Sequence, residues 1–165
     1  MRVILDNIRS LHNVGSIFRT ADAVDVEKMY LCGITPSPID RLGKPEPKCI
    51  KVSLGAEKSV VWEKVAHTWR LVDQLKKEGF FVVAVEQSSK SEDIFKKNLS
   101  KSNFDRLVLV VGNEVGGVSK AVLDRADMML EIPMMGEKES LNVAVAFGVA
   151  VYMLSFLRRQ ESNVA

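Results

Sequence analysis

Val110-Val111-Gly112-Asn113-Glu114-Val115-Gly116-Gly117-Val118-Ser119 is the stretch whose reading decides the fold. An apolar run starting at Leu107 ends in a glycine-rich turn, and Ser119 stands where a short helix to Arg125 can open. Apolar residues at every position, not every second one, mark a strand covered on both faces, as in parallel sheets. The glycines allow close approach of backbone to a ligand, and open α/β sheets bind theirs beyond the C-terminal ends of strands. The turn has neither the Gly-Lys-Ser/Thr of a phosphate loop nor a GxGxxG fingerprint. Nucleoside-triphosphate hydrolysis and dinucleotide binding are therefore disfavoured.

The same alternation extends in both directions. Val3-Ile4-Leu5 reads as a first strand, and Val14 to Val24 as a helix with Ile17, Phe18, Ala21 and Val24 on one face. Met29 to Cys32 is a second strand, ended by Gly33. Ile34 to Pro47 holds four of the five prolines and reads as an irregular loop. Thr68 to Lys77 is a helix stopped by Gly79, followed by the apolar run Phe80 to Val85. Met128 to Ile132 is a further strand, and a last helix runs from Asn142 to Leu157 with Val145, Val149, Tyr152 and Phe156 among its apolar positions. The expectation is a single α/β domain over residues 1–165, with a mostly parallel sheet and helices on both faces.

Composition narrows the class. A chain of 165 residues, 47% hydrophobic and 27% charged, can bury a core without staples. No apolar run approaches the roughly 20 residues of a membrane span, and Met1 to Asp6 reads as a strand, not a secretion signal. Cys32 and Cys49 form no CxxC pair, and His12 and His67 sit in no ligand-like cluster. The expectations are a reduced, cytoplasmic chain with no metal. The net charge of +2 does not by itself announce nucleic acid, although Arg41 to Lys58 carries five basic residues against two acidic ones.

Two further stretches carry chemistry. In Asn7 to Asp22 a strand enters a polar turn and a helix opens at Asn13 to Ser16. Its N–H groups and positive end suit an anion, with Arg19 and Arg9 as guanidinium partners for a phosphodiester. On its own this stretch also reads as a capped helix bearing a surface arginine. In Ile132-Pro133-Met134-Met135-Gly136-Glu137-Lys138-Glu139-Ser140-Leu141-Asn142-Val143, Ser140 or Asn142 can cap the final helix. The same stretch sets a hydroxyl and an amide beside Ile132, Met134 and Leu141, a mixture suited to an adenine and a thioether-like sulfur.

Together these segments resemble the SpoU (TrmH-like) family of RNA ribose methyltransferases, within the SPOUT superfamily. The resemblance runs from about Asp6 to Leu157 and rests on three motifs in order. These are Asn13-x-Gly15-x-x-x-Arg19-Thr20-Ala21-Asp22, then Gly112-x-Glu114-x-x-Gly117-Val118-Ser119, then Ile132-Pro133-Met134-x-Gly136-x-x-x-Ser140-Leu141-Asn142-Val143. Ser53-Leu54-Gly55-Ala56-Glu57-Lys58 with Trp62-Glu63 looks like the family's loop before the middle helix. The resemblance implies a C-terminal trefoil knot, a rare exception to unknotted topology, and an obligate homodimer. It also implies S-adenosylmethionine bound in a bent form, contacted by Val85, Gly112, Ile132, Met134, Ser140 and Leu141. Asn13, Arg19, Glu114, Ser140 and Asn142 fall at the family's functional positions, and methyl transfer to a ribose 2′-hydroxyl is the implied reaction.

In the family an arginine at the position of Arg19 is assigned as the base. A guanidinium pKa above about 12 makes neutral arginine costly. Arg19 therefore reads first as a ligand of the 3′-side phosphate and of developing alkoxide charge, with the phosphate or a water taking the proton. Asn13 reads as orienting Arg19 and Glu114, and Glu114 has a plain alternative as a loop-fixing carboxylate. With no N-terminal RNA-binding extension expected, RNA affinity falls to a dimer surface, the Ile34–Lys58 region or another protein. tRNA is favoured over rRNA. The alternatives are a non-catalytic RNA-binding dimer of the same fold, and a base methyltransferase, against which the Asn13 to Arg19 motif argues.

Overall fold

A computed structural model of the chain describes residues 1–97 and 101–163. In chain order the elements are β1 (Arg2–Asp6), α1 (Leu11–Ala23), β2 (Lys28–Cys32), α2 (Pro47–Ser53), α3 (Ala56–Ser59), β3 (Trp62–Val65), α4 (Thr68–Lys77), β4 (Phe81–Val85), β5 (Glu92–Asp93), α5 (Lys101–Asp105), β6 (Leu107–Gly112), α6 (Lys120–Leu123), β7 (Met128–Glu131) and α7 (Val143–Asn163). The strands form one sheet in the order β3-β2-β1-β6-β4-β7-β5, and every pairing is parallel.

The continuous apolar runs are explained by burial on two faces. Val3, Leu5, Val83, Leu107, Leu109 and Val111 pack on one side, under Val14, Ile17, Phe18 and Ala21 of α1 and Phe147, Ala150, Val151 and Leu154 of α7. Ile4, Val82, Ala84, Val108 and Val110 point the other way, under Leu71, Val72 and Leu75 of α4 and Val122 of α6. Alternate residues of each strand thus serve opposite layers, as the two-residue period of a strand requires.

Several boundaries depart from the sequence reading, each for a local reason. α1 opens at Leu11, not Asn13 or beyond, because Ser10 caps it by accepting the Asn13 N–H at 3.3 Å. The proline-rich loop ends in α2, where Pro47 occupies the first turn, the one helical place its missing N–H is tolerated. Ser53 to Lys58 is not a plain loop. α2 closes there through Leu54 at φ 52°, and α3 starts after Gly55 at φ 97°. β3 was missed because its sequence, Trp-Glu-Lys-Val, carries the charges of an edge strand in place of an apolar run. α4 matches the expected span, with Gly79 at φ 85° just beyond it.

α7 spans 21 residues, six further than read. Over Val143–Gln160 its mean hydropathy of 1.2 meets the length and composition of a membrane span, a property the sequence reading did not credit. Its buried face, Phe147 to Leu154, lies in the same core as α1 and the sheet.

Because the strands are parallel, Asp6, Val85, Gly112 and Glu131 end at one edge of the sheet. Asp6 pairs with Gly112, and Val85 with Val111 and Leu130.

Candidate active site

The segments leaving that edge enclose a pocket of about 430 Å³. That volume lies within the range of small-molecule sites. Its lining includes all six residues expected to contact a cofactor: Val85, Gly112, Ile132, Met134, Ser140 and Leu141. Glu114 and Asn142 line it as well. The sequence reading missed Glu86, Asn113, Gly117, Glu131 and Ala146, which also face it. Three lining residues are acidic (Glu86, Glu114, Glu131), and none is lysine, arginine or histidine.

The glycine-rich turn is a closed loop. The Asn113 N–H donates to the Gly117 carbonyl and the Gly117 N–H to the Asn113 carbonyl, both at 3.0 Å. The Asn113 side-chain oxygen accepts the Val115 and Gly116 N–H groups at 2.8 Å. Two glycines are required on geometric grounds. A Cβ on Gly112 would lie 2.1 Å from the Gly117 backbone. Gly117 has φ +65°, and a Cβ there would lie 2.0 Å from a Glu86 carboxylate oxygen. Glu86 itself accepts the Val118 N–H at 2.7 Å and the Gln87 N–H at 3.0 Å.

The loop is held from below by Asp6, which is fully buried. Asp6 accepts the Ser119 N–H at 2.9 Å, the Thr68 hydroxyl at 2.5 Å and the Asn7 amide at 2.9 Å. Ser119 does stand before α6, but its hydroxyl makes no capping bond. Its contribution is the N–H given to Asp6. The position of Asp6 at the end of an apolar strand was the sequence signal for such an anchor, since a buried carboxylate needs partners.

The first motif meets this loop through Glu114. Its carboxylate accepts the Arg9 N–H at 3.1 Å, the Ser10 N–H at 3.3 Å and the Asn13 Nδ2 at 2.8 Å. The anion at the start of α1 is therefore the protein's own carboxylate, where the sequence reading placed an RNA phosphate. Orphan N–H groups and the positive end of a helix favour any anion within reach, and Glu114 is already there. Partial burial alone would raise the Glu114 pKa. The hydrogen bonds from Asn13 and from the Arg9 and Ser10 backbone outweigh it and hold the carboxyl below its usual range.

From Glu114 a chain of polar groups runs to α7. Asn13 gives Nδ2 to Glu114 and accepts Asn142 Nδ2 on its Oδ1 at 3.2 Å. Asn142 Oδ1 accepts the Ala144 N–H at 2.9 Å, and its carbonyl accepts the Ala146 N–H at 2.8 Å, so Asn142 is the cap of α7. The chain has one polarity. A carboxylate can only accept, so it fixes which way both amides face. Asn13 thus orients Glu114 and Asn142, and not Arg19.

Arg19 lies elsewhere. Six residues along a helix rotate through about 240°, so Arg19 faces away from Asn13 and shares a face with His12. Both line a second cavity of about 460 Å³ together with Lys48, Lys51 and Val52. Arg9 contributes its backbone N–H to Glu114, and its exposed side chain lines neither cavity. One chain thus gathers Glu114, Ser140 and Asn142 on the pocket, with the buried Asn13 linking Glu114 to Asn142 behind its lining, and leaves Arg9 and Arg19 outside it.

Known proteins share this arrangement of sequence. The model of the SpoU rRNA Methylase family matches residues 1–152. The 23S rRNA (guanosine-2′-O-)-methyltransferase RlmB of Neisseria meningitidis is 34% identical over 159 residues, covering 96% of this chain and 58% of that protein. The tRNA (guanosine(18)-2′-O)-methyltransferase of Aquifex aeolicus is 35% identical over 159 residues, covering 96% of this chain and 70% of that one. The chain thus spans little more than half of the Neisseria relative. The solved AdoMet-bound rRNA methyltransferase from Sinorhizobium meliloti superposes with TM-score 0.81 at 28% identity, over 96% of this chain and 56% of that one. A structure solved to explain 2-OH methylation of C/U34 on tRNA superposes with TM-score 0.76 at 25% identity, over 99% of this chain and 97% of that one. On the match to the family model and these likenesses, the chain belongs to the SpoU rRNA Methylase family.

Proposed function

We propose that the chain is an S-adenosylmethionine-dependent methyltransferase acting on a ribose 2′-hydroxyl of RNA, with tRNA the substrate ahead of rRNA. The observation that carries this reading is the pocket at the sheet edge, joined by the Asn142–Asn13–Glu114 chain to the first motif. Its lining fits the cofactor. Val85, Ile132, Met134 and Leu141 offer apolar surface for a nucleoside. Three acidic residues with no basic one favour a cation and repel a phosphate-bearing nucleotide. When bound, S-adenosylmethionine supplies a methyl group on a positively charged sulfur, open to in-line attack by the ribose oxygen.

The chain's own residues do the positioning, which is worth much of such a barrier. Val85, Gly112, Ile132, Met134, Ser140 and Leu141 hold the cofactor. Ser140 and Asn142 face the reacting side, and Asn142 keeps one amide hydrogen and one lone pair free beyond its bonds to Asn13 and Ala144. Glu114 acts through its neighbours as a positioning residue. With its carboxyl held ionised by three donors, it is a poor proton acceptor. The RNA phosphate or a water takes the proton.

Arg19 binds the phosphate beside the reacting ribose. Because it faces away from the pocket of its own chain, it serves the pocket of a partner subunit, and a homodimer is part of this reading. Val145, Tyr152 and Phe156 support the dimer: they are 52%, 54% and 57% exposed on one stripe of α7, an apolar face with no cover in the single chain. The knot belongs to the same reading. After β7, outboard of β4, the chain returns to pack α7 on α1, β6 and β4. The preference for tRNA follows the Aquifex relative and the tRNA structure of nearly equal length. A cytoplasmic location goes with that substrate.

The test is labelled S-adenosylmethionine with bulk tRNA and bulk rRNA, wild type against Arg19→Ala, followed by mapping of 2′-O-methyl sites. Transfer to tRNA that is lost in the variant is expected. No transfer to either RNA would overturn the reading and favour a binding dimer.

A further inference from the structure

The second cavity has a construction of its own. α1 presents His12 and Arg19, seven residues apart, and α2 presents Lys48 and Lys51, three apart, so each pair shares a helix face. The two helices are pressed together at Gly15. A Cβ there would lie 2.6 Å from the Cys49 carbonyl oxygen and 3.1 Å from the Val52 Cβ, so only glycine lets α2 come this near. The result is a cleft of about 460 Å³ lined by an arginine, two lysines and a histidine, with Val52 its one apolar residue and no acidic one.

This protein pairs many of its cations. Arg2 meets Glu27, Lys28 meets Glu63, Lys76 meets Asp127, Lys97 meets Glu92, and Arg125 meets Asp73. Among the described residues no ion pair reaches Arg19, Lys48 or Lys51, although they crowd one cleft. Like charges held together repel, a cost that an anionic ligand relieves.

We propose that the α1–α2 cleft is a phosphodiester subsite for the RNA backbone flanking the reacting nucleotide, with Lys48 and Lys51 its principal ligands, Arg19 a third and His12 a fourth. The inference rests on the RNA-methyltransferase reading and extends it. Arg19 stands at the junction, and Lys48 and Lys51 continue the phosphate path away from the reacting ribose. The subsite gives affinity without sequence choice, as backbone contacts do.

The experiment is fluorescence anisotropy of bulk tRNA on the full chain across a potassium chloride series. In Lys48→Gln/Lys51→Gln the slope of log K against log salt should shrink by about 1.4 to 1.8, two phosphate contacts' worth. Affinity should fall at least tenfold at low salt, with calorimetric affinity for S-adenosylmethionine and the thermal melt unchanged. Lys48→Arg/Lys51→Arg should keep the slope. Lys77→Gln/Lys90→Gln, the same charge change at exposed lysines outside the cleft, should keep it too. A wild-type slope in the Lys48→Gln/Lys51→Gln protein, or an equal loss in the Lys77→Gln/Lys90→Gln control, would overturn the proposal. So would displacement of tRNA by inorganic phosphate at matched ionic strength, which would assign the cleft to the free anion. A wild type that shows the expected slope yet methylates no RNA would overturn the methyltransferase reading and leave the cleft standing.

Discussion

Glu114→Gln tests the polar chain at its source. The carboxylate accepts from Arg9, Ser10 and Asn13 at 3.1, 3.3 and 2.8 Å. Hydrogen bonds to a charged group are worth about 1.5–3 kcal/mol each, and the lower end applies to an exposed residue such as Glu114. Glutamine keeps one acceptor oxygen. If that oxygen stays toward Asn13 and Ser10, its amide NH2 confronts the Arg9 N–H. One bond is lost, and the others lose their charge assistance. The sum is about 2 kcal/mol, or a fall in Tm of about 4–8 °C for a chain of this size. If the amide turns the other way, Asn13 must turn with it, then Asn142, and the Ala144 N–H at the start of α7 loses its acceptor. Methyl transfer should therefore fall at least tenfold with the loss of stability. The acid dependence is specific. The hydrogen bonds hold the folded pKa of Glu114 below the ordinary glutamate value, so the carboxylate's contribution is fully present above that ordinary value. It is lost as pH falls through the folded pKa. The gap between wild type and variant, measured by melts across an acid series, should close there. A variant with wild-type melting at neutral pH but no turnover would refute the positioning role and make Glu114 a direct participant.

Other consequences follow from the same geometry. Gly117→Ala puts a Cβ 2.0 Å from Glu86 at a backbone φ of +65°, so calorimetric affinity for S-adenosylmethionine should drop by more than about tenfold; an unchanged Kd would remove the loop from the cofactor site. Mixing inactive Arg19→Ala chains with inactive Ala146→Phe chains, whose pocket is filled, should restore about a quarter of wild-type activity if Arg19 serves the partner's pocket. No recovery after subunit exchange would mean that each chain uses its own arginine. Burial pushes the Cys32 thiol up to about 12 and the Cys49 thiol up to about 11, so neither should react with a thiol reagent at pH 8 until the chain is denatured. Rapid labelling of the folded protein would contradict their burial.

The one-dimensional pattern was sufficient for much of this protein. The runs Phe80–Val85 and Leu107–Val111 announced strands buried on both faces, and the glycines after Gly112 announced a loop at a strand's end where ligands sit. The strands and the loop rest on local properties: hydrophobic period and backbone freedom. The family resemblance carried by the three motifs pointed to Val85, Gly112, Ile132, Met134, Ser140 and Leu141, and the structure sets all six on one pocket. The tertiary structure decided what spans long separations. Glu114 meets Arg9 and Ser10 across more than one hundred positions and takes the anion site that the first motif alone offered to a phosphate. Asp6 holds Ser119 across 113 positions. Helical rotation sends His12 and Arg19 to one side of α1 and Asn13 to the other. Only the packing of α2 on Gly15 then sets Lys48 and Lys51 beside them. Spacing along a chain fixes distance along an element. Which face a side chain uses, and which distant carboxylate arrives first at a helix end, is settled only when the layers close.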